Sequence, residues 1–245
     1  AIMLITHDLN LVRSFASRVG VMERGHLIEC ADTARLFAEP QQDYTRMLIE
    51  SRPQRDIQPI PENSPVLLHA SEIEVSFPIK AEGLRGFWKK QRHPVVRRVS
   101  LTLAEGETLG IVGESGSGKT TLAMALLLLQ KTTYGRITYT GQPIDPRDRQ
   151  ALKALRSRMQ VVFQDPFGSL SPRLTIREIV AEGLALHHPE LSETEQAKRV
   201  IDVLDEVGID SAAIDRYPHE FSGGQRQRIA IARALILQPR LLILD

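Results

Sequence analysis

A glycine-rich stretch that ends in lysine and threonine is the part of this sequence best suited to chemistry. It runs Gly113-Glu114-Ser115-Gly116-Ser117-Gly118-Lys119-Thr120 and follows the pattern G-x-x-x-x-G-K-[ST]. Glycines let a backbone wrap closely, so that successive N–H groups point at phosphate oxygens, and the lysine adds a point charge. The threonine hydroxyl is a suitable ligand for Mg²⁺. The stretch therefore predicts a site for the phosphates of a nucleotide.

Two flanking elements have to position this loop. The apolar segment TLGIVG before it predicts a buried strand, and a helix is expected to begin near Lys119 and to continue through Thr121. The positive end of that helix would favour an anion. The alternative is a glycine-rich turn with a chance lysine, which the strand–loop–helix context disfavours. A phosphate loop predicts a nucleotide and leaves the reaction open.

A second group of residues lies near the end of the sequence. Ser222-Gly223-Gly224-Gln225 precedes a predicted helix with an apolar face through Ile229, Ala232 and Ile236, and Ser222 is suited to cap that helix. By itself, this stretch is more typical of a capped amphipathic helix with two permissive glycines than of a binding site.

Taken together, the two stretches resemble the ATP-binding subunits of ABC transporters. SGGQ followed by RQRIAIARAL resembles the signature motif, LLILD resembles the Walker B strand ending at Asp245, and VVFQD resembles the Q-loop with Gln164. The resemblance implies ATP and Mg²⁺, with Thr120, Gln164 and Asp245 associated with the metal ion. It further implies that Gln164 contacts the attacking water and that Phe77 in IEVSF stacks on adenine. It extends from Val66 to Asp245.

Longer stretches resemble one subgroup of that family. QDPFGSLSPRLT and YPHEFSGGQRQRIAIARAL are similar to the ATPases of oligopeptide and dipeptide importers, although Phe221 replaces a common Leu and Ser171 a common Asn. The resemblance implies transmembrane permease subunits, met by the region just after Gln164, and a solute-binding protein as an indirect partner. It also implies a peripheral position on the cytoplasmic face of the inner membrane.

The first residues resemble the end of another such module. LITHDL resembles the H-loop that ends in a switch histidine, here His7, and RVGVMERGHLIECA resembles the closing hairpin. We therefore predict the C-terminal part of a first module over 1–50, a proline-rich linker over 51–65 and a second module over 66–245. A packing or capping role is the alternative for His7. We also hypothesise that residues 1–50 dock on the second module, with AIMLIT as a strand beside the phosphate-loop strand, which would bring His7 near the γ-phosphate.

The same resemblance bears on turnover. In the family, a glutamate general base follows the Walker B aspartate, whereas this sequence stops at Asp245, so turnover by this chain alone stays open. Family sites are composite, so Ser222 to Gln225, in the second nucleotide-binding module, would serve the phosphate loop of the first module. The expected fold is α/β, a P-loop NTPase of ABC type with a mostly parallel sheet, an antiparallel β part and a helical subdomain.

Composition limits the rival functions. The chain has 245 residues, 42% of them hydrophobic, and a net charge of +1, which gives no reason to expect a nucleic-acid partner. The basic stretch 84–98 with Trp88 favours a solvated insertion over nucleic-acid contact, and RDRQALKALRSRM is typical of a solvated helix face. A single cysteine, Cys30, excludes an internal disulfide. A non-transport tandem ABC ATPase and a nucleotide-binding fragment without turnover remain the alternatives to an import ATPase.

Overall fold

The computed structural model describes residues 1–6, 8–50, 59–61, 63–78 and 92–245. The chain divides into two compact units, Ala1–Pro59 (the first unit) and Ile60–Asp245 (the second unit). His7, Trp88 and most of the predicted linker lie outside the described residues.

The first unit is a hairpin with short helices. Its elements are α1 Leu9–Phe15, β1 Arg18–Glu23, β2 His26–Asp32, α2 Thr33–Ala38 and α3 Asp43–Glu50. The predicted hairpin is confirmed: β1 and β2 are antiparallel, and Arg24 and Gly25 between them both have positive φ, 48° and 85°, as a tight turn requires. Val19, Val21 and Leu36 form its buried core.

The predicted strand AIMLIT is wrong. Residues 1–6 have no strand structure, and Ile2 and Ile5 are 97% and 89% exposed. Apolar residues of strand type form a strand only when a neighbouring strand supplies a hydrogen-bond ladder, and none of the described residues pairs with this segment. Asp8 caps α1 instead, its carboxylate accepting hydrogen bonds from the N–H groups of Asn10 and Leu11.

The second unit contains both strands and helices. Its strands are β3 Val66–Pro78, β4 Arg92–Ala104, β5 Tyr134–Tyr139, β6 Gln142–Pro143, β7 Met159–Val162 and β8 Leu241–Leu244. Its helices are α4 Lys119–Leu126, α5 Arg149–Arg158, α6 Pro166–Ser169, α7 Ile176–His187, α8 Glu193–Glu206 and α9 Gly223–Leu235.

Antiparallel strands in the order β4-β3-β5-β6 form one layer of this unit. Ile73 and Val75 of β3 are fully buried and Glu74 between them is not, as expected for a strand with one face on a core. Leu122 and Leu126 of α4 belong to the same apolar cluster. This packing fixes α4, and with it the loop that precedes α4, against the antiparallel layer.

A second apolar cluster joins α7, α8 and α9 through Leu184, Leu204 and Ile229, all fully buried. Each of these helices begins with a capping box, at Thr175, Ser192 and Ser222 respectively. These local signals explain why the predicted helical subdomain is confirmed. None of the helices in the described parts of the chain is long and apolar enough to cross a bilayer.

The parallel part is smaller than expected. Among the described strands only β7 and β8 are parallel, with Val162 beside Leu244. The predicted buried strand TLGIVG is wrong: residues 107–114 have no strand structure, and Ile111 and Val112 are 45% and 94% exposed. No described strand forms a ladder with this segment, so its apolar residues are not covered.

Candidate nucleotide site

The loop from Gly113 to Thr120 leads into α4, and its shape depends on its glycines. Gly116 and Gly118 have φ of 79° and 94°, a region that other L-residues rarely adopt. A Cβ at Gly118 would also lie 2.8 Å from the backbone oxygen of Val95 in β4. The close approach of β4 to the start of α4 therefore requires glycine at this position.

The Lys119 ammonium lies inside this loop. Its Nζ donates hydrogen bonds to the carbonyl oxygens of Gly113 at 2.8 Å and Glu114 at 2.7 Å, and lies 3.4 Å from the Ser117 hydroxyl. An ammonium group has three donors, and these oxygens engage them. The positive charge is thus held where the loop backbone converges, and Ser115 and Thr121 occupy the neighbouring positions along the loop and α4.

Two residues that are 125 positions apart meet beside the loop. The Thr120 hydroxyl donates a hydrogen bond of 2.8 Å to Oδ1 of Asp245. Asp245 follows β8, and its N–H donates to the carbonyl of Val162 at the end of β7. Gln164 follows β7 by two residues and is exposed. Because β7 and β8 are parallel, their carboxyl ends place Gln164 and Asp245 at the same edge of the sheet.

The hydroxyl and carboxylate at this edge fit a magnesium ion. Mg²⁺ prefers oxygen ligands and is commonly held by one or two protein groups together with substrate phosphates and water. Thr120 and Asp245 supply two such oxygens, 2.8 Å apart, directly beside the phosphate loop. The predicted metal-associated residues Thr120 and Asp245 are therefore brought together, with Gln164 near them at the strand ends.

A hollow of about 620 Å³ lies beside the loop. Its lining includes His93, Val95 and Arg97 of β4 together with Gly116 and Lys119 of the loop region. The contribution of β4 could not be predicted from the sequence, because the alternating pattern of that strand indicates a sheet and does not show which residues pack against it.

Phe77, the predicted adenine-stacking residue, lies at the end of β3. It is 39% exposed and pairs across the ladder with His93, which lines the hollow, whereas Phe77 itself is not among the lining residues. The structure thus places Phe77 one strand away from the hollow.

The stretch Ser222 to Gln225 forms the start of α9 and is exposed. The Ser222 hydroxyl accepts a hydrogen bond from the Gln225 N–H at 3.3 Å, and Gln225 Oε1 accepts one from the Ser222 N–H at 2.9 Å. The predicted cap is therefore confirmed. Within the described residues no hydrogen bond joins this stretch, including Gly223 and Gly224, to the loop at Lys119.

Helix α9 is tied to the segment that follows Gln164. Arg233 of α9 donates a hydrogen bond of 2.5 Å to the carbonyl oxygen of Ser169 in α6. Burial lowers the pKa of the Arg233 guanidinium, because solvent is withdrawn from the charge. At the other end of α9, Arg226 donates to the carbonyl of Phe221, a buried residue. These bonds fix the start of α9 and its packing on α6.

This chain is similar in sequence to known proteins. The sequence profile of the ABC transporter family matches residues 96–245. The chain is 49% identical over 245 residues to the peptidoglycan transport ATP-binding protein YejF of Agrobacterium fabrum, covering 100% of this chain and 44% of that protein. It is 47% identical over 187 residues to the oligopeptide transport ATP-binding protein OppF of Escherichia coli, covering 76% and 56%. The chain thus spans about half the length of the curated relatives it matches.

A solved structure of known fold is also similar to this chain. The dimeric MJ0796, a bacterial ABC transporter cassette, matches with a TM-score of 0.64 at 28% identity, over 73% of each chain. The predicted α/β class with an antiparallel β part and a helical part is confirmed by this match and by the observed layers.

Proposed function

Because this chain belongs to the ABC transporter family of ATP-binding proteins, we propose that it binds and hydrolyses ATP with Mg²⁺ to drive solute import through a membrane permease. The observation that carries the proposal is the hydrogen bond between Thr120 and Asp245 beside the phosphate loop. It joins a residue of the loop motif to the acid that ends a distant strand. A glycine-rich turn with a chance lysine gives no reason for that contact.

The loop is proposed to hold the phosphates of ATP. Backbone N–H groups from Gly113 to Thr120 donate to phosphate oxygens, and the start of α4 adds its positive dipole end. Lys119 supplies the full positive charge and exchanges its bonds to the carbonyls of Gly113 and Glu114 for bonds to the terminal phosphates. The charge that develops on the transferred phosphoryl group is stabilised by these donors.

Thr120 and Asp245 are proposed to hold Mg²⁺, which when bound offsets the negative charge of the phosphates. Gln164, at the same edge of the sheet, is proposed to orient the attacking water with its side-chain amide. Phe77 is proposed to stack on adenine, one strand away from the hollow beside the loop. His7, outside the described residues, keeps its proposed role as a switch histidine.

The second glycine-rich stretch is proposed to act in a composite site. Ser222, Gly223, Gly224 and Gln225 are exposed at the positive end of α9, where they suit an anion presented by another chain or module. We propose that this anion is ATP bound to the phosphate loop of the first of two nucleotide-binding modules. Residues 1–50 would then be the end of a first module, 51–65 a linker and 66–245 most of the second module.

The solute is proposed to be a peptide or a peptide-like molecule. The relatives are described as transporting peptidoglycan, oligopeptide or, at 41% identity, glutathione, and these compounds share peptide bonds. The partners would be transmembrane permease subunits, met by the region just after Gln164, with a solute-binding protein as an indirect partner. The protein would lie peripherally on the cytoplasmic face of the inner membrane, with no nucleic acid involved.

Nucleotide binding is tested by titrating the chain with a fluorescent ATP analogue and Mg²⁺. We expect saturable binding that Lys119→Ala abolishes. Lys131→Ala is the matched control, because Lys131 is an exposed lysine outside the loop. Equal binding by wild type and Lys119→Ala would contradict the assignment of the loop.

Transport is tested separately with the full-length protein and its permease in membrane vesicles. We expect ATP-dependent uptake of a labelled tripeptide that an excess of unlabelled glutathione or oligopeptide reduces. Uptake that proceeds unchanged when Lys119 is replaced by alanine would refute the coupling of this site to import. If the protein binds ATP but glutathione and oligopeptide do not reduce uptake, the proposed ATP site would stand and the proposed peptide solute would be contradicted.

A further inference from the structure

The outward face of α5 carries a row of positive charge that the nucleotide site does not use. Residues at i, i+4 and i+7 share one face of a helix, which puts Arg149, Lys153 and Arg156 in a line (the α5 stripe). All three side chains belong to exposed residues. At 1.5 Å per residue, the stripe is about 10 Å long.

No described residue neutralises this stripe. Arg149, Lys153 and Arg156 form no ion pair with any part of the chain that the structure describes. Helix α5 contains no acidic residue, and the carboxylate of Asp148 at its start accepts hydrogen bonds from backbone N–H groups. Burial and then the charges of Lys153, His188 and Arg156 lower the pKa of His187 in α7, so the positive potential reaches the neighbouring helix.

Helix stability does not explain the stripe. Cations are favourable in the last turn of a helix, where they oppose the negative dipole end, and this accounts for Arg156 and Arg158. Arg149 lies in the first turn, where a cation is unfavourable, and Lys153 lies in the middle. A row of three like charges on one face also repels itself. The stripe therefore costs the free helix stability, and an external anion would remove that cost.

The surroundings of the stripe select among anionic partners. Exposed neighbours are Gln150 and Ala154, whereas Leu152 and Leu155 are partly buried. A tight protein partner needs apolar or aromatic anchors, and a single-stranded nucleic acid needs aromatic side chains to stack its bases. The stripe offers neither. Cations without anchors suit a surface with many mobile anionic groups, which is what acidic phospholipids present.

We propose that the α5 stripe docks this protein on anionic phospholipid headgroups. The contact is electrostatic and leaves the loop at Lys119 free. It goes beyond the proposed ATPase, because it assigns a lipid-binding role to a helix that takes no part in binding nucleotide. The two proposals fail separately: Lys119→Ala is expected to leave lipid binding unchanged, and substitutions in α5 are expected to leave nucleotide binding unchanged.

The test is co-sedimentation of the chain with phosphatidylcholine vesicles that contain about one third phosphatidylglycerol, compared with pure phosphatidylcholine vesicles. The triple variant Arg149→Gln, Lys153→Gln, Arg156→Gln removes the stripe. Each cation near an anionic surface contributes about five-fold in affinity, so the triple variant is expected to bind roughly 100-fold more weakly. Added salt should weaken wild-type binding, since the attraction is screened.

The matched control removes three exposed cations elsewhere, as Lys131→Gln, Arg136→Gln and Lys198→Gln. It has the same net charge as the stripe variant and is expected to keep most of the lipid affinity. An equal loss of vesicle affinity in both variants would overturn the proposal, because net charge alone would then explain the binding. Wild-type binding that ignores phosphatidylglycerol, or that is stronger for an RNA homopolymer than for the vesicles, would also overturn it. A fluorescent-ATP titration of each variant verifies that the fold is intact.

Discussion

Replacing Ser222 with alanine separates its role as a helix cap from its proposed role at a nucleotide. The hydroxyl of Ser222 accepts from the Gln225 N–H at 3.3 Å, and Ser192 accepts from the Glu195 N–H at the same distance. In both capping boxes the serine N–H donates a hydrogen bond of 2.9 Å to the side-chain oxygen of the residue three positions on. Loss of a serine cap costs about 1 kcal/mol. We expect Ser222→Ala and Ser192→Ala each to lower the free energy of unfolding by about 1 kcal/mol, measured by urea denaturation.

Turnover should distinguish the two serines. In the full-length protein we expect Ser192→Ala to hydrolyse ATP normally and Ser222→Ala to be about 100-fold slower, a loss typical of one donor removed from a developing charge. Ser222→Asp keeps the cap, since aspartate caps as well as serine does, and adds a negative charge where phosphate is proposed. It should recover the stability without the turnover. Normal turnover in Ser222→Ala would refute the assignment and leave the stretch as a cap alone.

Three further substitutions follow from the geometry. Gly118→Ala combines positive φ with contact against the Val95 oxygen and should destabilise the second unit by about 1–3 kcal/mol in urea denaturation, whereas no loss would show that β4 moves away. Burial raises the pKa of Tyr139, whose hydroxyl has no hydrogen-bond partner among the described residues, so wild-type stability should fall as pH rises above about 10. Tyr139→Phe should remove this contribution in thermal melts without destabilising the protein at neutral pH. Burial, then Lys153, lowers the pKa of His187, so wild-type stability falls as pH drops below about 6.5; an unchanged acid profile in His187→Gln would contradict this reasoning.

Local signals explain which elements were predictable. The turn at Arg24 and Gly25 and the cap at Ser222 each depend on residues a few positions apart, so the hairpin and the start of α9 could be predicted from the sequence. The strand predicted at TLGIVG is absent because an apolar run has a high propensity for strand structure but does not determine whether another strand pairs with it.

The candidate site was predictable in its residue types and less so in its geometry. The loop motif predicted the charge at Lys119, but its bonds to the Gly113 and Glu114 carbonyls depend on the folded loop. The resemblance to a family predicted the metal association of Thr120 and Asp245. Periodicity alone cannot predict a contact between two residues so far apart in the sequence. The lining of the hollow by Val95 was missed, because it comes from the packing of β4 on α4.

The contact between Thr120 and Asp245 has a consequence for synthesis of the protein. The residues are 125 positions apart, and at about 5–20 residues per second a ribosome needs roughly 6 to 25 seconds to add that length. During that interval the phosphate loop already exists in the nascent chain, while its carboxylate partner and strand β8 do not. ATP therefore cannot use both residues to stabilise an early intermediate. Protection of the unfinished second unit from aggregation must come from its antiparallel layer, which is complete by Pro143, or from chaperones.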